Sequence, residues 1–186
     1  MLRASCARRS PIALNFLMSS SQDFRGRDRS LYQRLHVAQE DLRQAAYFAE
    51  YILKKGWHSP PWERRWTTYM QQSAYITALV VAYARPFTES RGWPKLPKRL
   101  LTYTAEQKFL HKRVMELRNE IYAHSDVAKR NVRPIAILGR PSAIEKLPPM
   151  MFTKDETQML LMMIRAVSNA INARLAELIH SAQDET

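Results

Sequence analysis

With 186 residues and only four glycines, the chain has room for one sizeable core and too few tight turns for a β-sandwich or a Gly-rich nucleotide fold. Twenty-nine Lys and Arg against 17 Asp and Glu leave a formal charge of +12, which points to a polyanionic partner, nucleic acid first, because cation arrays gain affinity by displacing counterions from phosphates; a role in solubility or attraction to an anionic membrane surface is the alternative. A single cysteine, Cys6, excludes an intramolecular disulfide and a multi-cysteine zinc site, and no apolar run approaches the roughly 20 residues that span a bilayer, so the chain reads as a cytoplasmic protein with no membrane partner and no structural metal.

The first 22 residues carry Arg3, Arg8, Arg9, several serines and no acid. That pattern fits a transit peptide, an upstream-extended reading frame with initiation at Met18, or a flexible basic arm; we assign an arm to 1–28 and a helical domain to 29–182. Four segments then show apolar residues in steps of three and four, the period of one helix face. The first spans 30–55, with Leu31, Leu35, Ala38, Leu42, Ala45, Ala49 and Ile52 in register, a Ser30/Gln33 capping box at its start and Gly56 as its stop. The second is expected from Ser59, with Pro60 in its first turn, to Ala84, burying Trp62, Trp66, Tyr69, Ser73, Ile76, Val80 and Tyr83. The short connection at Gly56-Trp57-His58 predicts that these two helices lie antiparallel.

Residues 86–102 hold Pro86, Gly92, Pro94 and Pro97 among basic residues and read as a loop. A third helix opens at Thr104 with Gln107 three positions on, carries Leu110, Val114, Leu117, Ile121 and His124, and is expected to end near Asp126. From Val127 to Phe152 the pattern fails; residues 133–138 suggest a short strand, Gly139-Arg140-Pro141 a turn, and Pro148-Pro149 a break. The fourth helix opens on a Thr153/Glu156 capping box and runs through Leu160, Ile164, Val167, Ile171, Leu175 and Leu178 to about His180. The predicted fold is therefore all-α: an antiparallel bundle of four long helices with an irregular excursion, a short hairpin, before the last.

No P-loop, GxGxxG, GxSxG or HExxH is present, and no cofactor or metal is called for. What stands out is Leu117-Arg118-Asn119-Glu120-Ile121-Tyr122-Ala123-His124, where a guanidinium, an amide and an imidazole gather at the end of an apolar helix face. Those groups suit phosphodiester transfer: an RNA 2′-hydroxyl attacks the adjacent phosphate while an imidazole relays protons and a guanidinium neutralises the phosphoryl oxygens. On a straight helix Arg118 and His124 are about 120° apart. A bend before His124, or two copies meeting across a symmetric dimer, would bring them to one pocket. Arg29 to His36 and Arg174 to His180 share the loose spacing, but Ser30 and Leu175 follow those arginines where Asn119 follows Arg118. The competing reading makes His124 a hydrogen-bonded core imidazole and Arg118 an interhelical salt-bridge partner. The aromatic set Trp57, Trp62, Trp66, Tyr69 and Tyr83 reads as core, and His58 and His111 as surface residues.

The Arg118, Asn119 and His124 pattern resembles the signature of the HEPN superfamily, and the run from Ala78 to Asp126, including Ala84-Arg85-Pro86-Phe87, resembles its abortive-infection (AbiU-like) branch. The resemblance implies a metal-independent endoribonuclease in phage defence or a toxin system. It further implies a homodimer that juxtaposes two motifs, with a cognate antitoxin or nucleotidyltransferase as partner. His124 would be the acid/base, Arg118 the phosphate clamp and Asn119 the orienting residue. The RNA backbone is expected along Lys95, Lys98 and Arg99 and along Lys129, Arg130 and Arg133. The rival from another class is an inactive helical module that binds RNA or protein without turnover.

Overall fold

The computed structural model describes residues 26–60, 63–89, 91–119, 131–146 and 151–184. It contains α1 (Gly26–Lys55), α2 (Trp66–Ala84), α3 (Ala105–Leu117), a hairpin of β1 (Asn131–Ile137) and β2 (Arg140–Lys146), and α4 (Lys154–Asp184). Most of the expected basic arm, with Cys6 and Met18, lies outside the described residues. So does Trp62.

α1 begins four residues before the expected Ser30 cap. Asp28 in the first turn complements the positive end of the helix dipole, and the helix runs uninterrupted through Ser30 and Gln33. At the other end Gly56 takes φ +61°, its N–H bonds Leu53 O, and the Trp57 N–H reaches back to Ile52 O. This paired closure is a Schellman motif, and it folds Trp57 onto the core.

α2 starts at Trp66, seven residues later than expected. Pro60 precedes another proline and is steered away from helical ψ. The segment instead turns through a Glu63 N–H to Pro60 O bond, and Gln72 Nε2 holds Ser59 O at 2.9 Å. The buried face of α2 accordingly consists of Gln72, Ile76, Leu79, Val80 and Tyr83, while Trp66, expected in the core, is 70% exposed and Tyr69 half-buried. No charged residue occurs in α2.

Long-range contacts set the helix directions. Arg34 and Asp41 of α1 meet Arg85 and Pro86 after α2, and Tyr51 stacks on Tyr75 at 4.6 Å, so α1 and α2 are antiparallel. Glu50 pairs with Arg165 (2.8 Å) and Arg113 with Glu156, which sets α4 antiparallel to both α1 and α3. Ala38, Ala45 and Ala49 are fully buried on α1, and their small side chains let α2 and α4 close on it. Leu96 and Leu100 anchor the loop after α2 to the same core.

Of the three predicted capping boxes two form, and the one expected at Ser30/Gln33 is absorbed into the interior of α1. Thr104 Oγ1 accepts the Gln107 N–H and Gln107 returns the bond; Thr153 and Glu156 do the same. α4 continues past His180 to Asp184. In the excursion the turn falls on Leu138 and Gly139, both at positive φ, so Arg140 and Pro141 belong to β2 rather than to the expected turn.

Candidate functional site

α3 leads directly into Arg118 and Asn119, and its C-terminal end is held in place by a clamp. Leu110, Val114 and Leu117 bury one face. From the flank, Arg113 pairs with Glu156, donates from Nη2 to Met151 O at 2.9 Å, and lies 5.3 Å from the centroid of the buried Phe152 ring. Glu156 serves two purposes, accepting the Thr153 N–H in the α4 cap and receiving Arg113 across the interface. The end of α3 is thereby tied to the start of α4.

Beyond Leu117 the helix widens into a π turn at Arg118 and Asn119. The Arg118 N–H divides between Met115 O and Val114 O, and Arg118 Nη1 donates to Asn119 Oδ1 at 2.9 Å. Arg118 is half-buried and Asn119 exposed. Such turns loosen the α-helical phase and recur at functional positions. His124, Asp126, Lys129 and Arg130 lie outside the described residues.

The remaining cationic positions separate into two groups. Lys98 and Arg99 form an exposed 3-10 turn just before the α3 cap, and α3 is about 20 Å long, so they occupy the opposite end of that helix from Arg118. Lys95 is beside them but is ion-paired with Glu89, whose carboxyl it holds below its ordinary pKa. Arg133 sits exposed on β1, in the segment joining the Arg118 end of α3 to α4. The look-alike pairs differ from the motif in setting. Arg29 and His36 are both exposed within unbroken α1, and the Arg174 guanidinium is engaged by Glu177 at 2.7 Å.

Two histidines read as surface residues from sequence are half-buried and hydrogen-bonded to other elements. His111 Nδ1 is 2.9 Å from Tyr83 Oη, which is 3.2 Å from Tyr103 Oη, and the Phe87 ring meets the imidazole edge-on at 4.8 Å. Burial lowers the His111 pKa and raises those of Tyr83 and Tyr103, so this cluster is neutral near pH 7. Its sequence signal is positional: His111 falls four residues after Gln107 and three before Val114, on the edge of the apolar stripe. His58 Nδ1 lies 3.2 Å from Phe152 O, and its Nε2 is buried without a partner among the described residues.

Compared with protein-family models, curated proteins and solved structures, the chain matches none.

Proposed function

We propose that the chain is a metal-independent endoribonuclease-type domain of the HEPN kind, acting as a dimer whose composite site draws on Arg118, Asn119 and His124. The observation that carries this reading is the exposed 2.9 Å bond from Arg118 Nη1 to Asn119 Oδ1 at the end of α3, which sets the guanidinium beside the amide. In the proposed step the His124 imidazole takes the RNA 2′-hydroxyl proton as the 2′-oxygen bonds to phosphorus. The bond to the 5′-oxygen breaks, that oxygen receives a proton from the partner copy's imidazole, and a 2′,3′-cyclic phosphate results. Arg118 neutralises the charge gathering on the non-bridging oxygens.

The test is incubation of the pure protein with mixed RNA in EDTA. Wild type is expected to cleave, His124→Ala to lose activity, and Arg118→Ala to fall by about a hundredfold or more. No cleavage by wild type, or equal cleavage by His124→Ala, removes the catalytic assignment. The second reading, an RNA-binding or protein-interaction module without turnover, is favoured by the position of Lys98 and Arg99 at the far end of α3. It predicts salt-dependent RNA binding with no product.

A further inference from the structure

The β1–β2 hairpin stands apart in composition and exposure from the rest of the fold. Between Arg133 and Ala143 every residue is exposed except the half-buried Ile135. Its tip carries Leu138, 97% exposed, followed by Gly139. Leu138 sits at φ +50°, a left-handed conformation that costs strain for any side chain with a Cβ and that Asn-Gly would adopt with ease in this turn. An apolar side chain is therefore held fully in solvent on a strained turn. The two-residue loop between paired Ile137 and Arg140 holds Leu138 in that conformation.

The register adds the second observation. Ile137 pairs with Arg140, Ile135 with Ser142 and Arg133 with Ile144. Alternation along a strand puts Arg133, Ile135, Ile137 and Arg140 on one face, with the two guanidinium-bearing positions about 14 Å apart. Both arginines are exposed, and neither forms an ion pair among the described residues.

We propose that this hairpin is a nucleic-acid ribbon: Arg133 and Arg140 hold phosphates of one RNA strand, and Leu138, backed by Ile137, packs on the face of an unstacked base. The partner class follows from charge and shape. An apolar groove on a second copy would have to accommodate two cations, Arg133 and Arg140, unpaired among the described residues, beside the tip. A single strand supplies the phosphates and the open base faces together, which a duplex does not. The assignment rests on RNA being the partner but is independent of any cleavage.

The experiment measures anisotropy of a labelled 2′-O-methyl oligoribonucleotide, which binds but offers no 2′-hydroxyl for attack, beside an abasic strand of equal length and charge. Leu138→Asn suits the turn and keeps the hairpin closed while removing the apolar tip. It is expected to weaken binding to the methylated RNA about tenfold, the scale of one leucine's burial, and to leave the abasic strand unaffected. The Arg133→Ala, Arg140→Ala double variant should flatten the slope of log K against log salt by about 1.4. Wild-type affinity in Leu138→Asn overturns the proposal, as does equal wild-type affinity for the abasic strand. A Leu138→Asn protein with altered sedimentation but unchanged RNA binding overturns it too, placing the tip against a second copy. Unmethylated RNA separates the two readings: binding as expected without cleavage removes the nuclease and leaves the ribbon, whereas cleavage with an indifferent Leu138→Asn does the reverse.

Discussion

Arg34 offers the sharpest test of how the bundle is held. It is 5% exposed, and its Nη2 donates to three carbonyls just after α2: Pro86 O at 2.7 Å, Thr88 O at 3.2 Å and Arg85 O at 3.4 Å. Among the described residues no carboxylate pairs with it; the charge is met by oxygens at the negative end of the α2 dipole. The 2.7 Å bond is charge-assisted and contributes about 2 kcal/mol, while the two longer ones and the dipole add about 1 kcal/mol or slightly more together. Arg34→Ala removes these and leaves carbonyls short of a donor, so a loss of about 3 kcal/mol is expected, or about 10 °C in Tm for a domain of this size. Arg34→Lys keeps the charge and a multiply donating nitrogen but shifts its position, and should lose about half as much. Urea unfolding followed by circular dichroism measures both. A loss under about 1 kcal/mol in Arg34→Ala, at unchanged m-value, would refute the view that Arg34 joins α1 to the end of α2.

Two further outcomes follow from named contacts. Because burial lowers the His111 pKa, the unfolded chain binds the proton more tightly than the folded one. Stability should be full above the unfolded value of about 6.5 and drain as pH falls from there toward the lowered folded value; His111→Phe should flatten that part of the stability profile, and an unaltered profile counts against the burial of His111. Glu156→Gln preserves the capping geometry at Thr153 but removes the charge facing Arg113, so a loss of about 1 kcal/mol is expected from a pair whose side chains are 25% and 30% exposed. A much larger loss in thermal unfolding would mean that the cap itself had failed.

Most of the apolar stripes and the capping boxes at Thr104 and Thr153 could be read directly from the chain because they depend on neighbours three or four residues apart: helical period, and a side chain bonding a backbone N–H within one turn. Gly56 is local in the same sense, and so is the proximity of Arg118 to Asn119. The start of α2, the exposure of Trp66 and the burial of His111 and Arg34 were decided elsewhere in the molecule. Gln72 captures Ser59 O from 13 residues away, Arg34 finds Pro86 O across 52, and Tyr83 reaches His111 across 28. Lys98 and Arg99 look adjacent to the motif in a linear reading, yet one helix length separates them from Arg118. Period and capping report what a segment can become by itself; which polar groups are withdrawn from water, and which cations share an end of the bundle, depends on partners that only packing brings together.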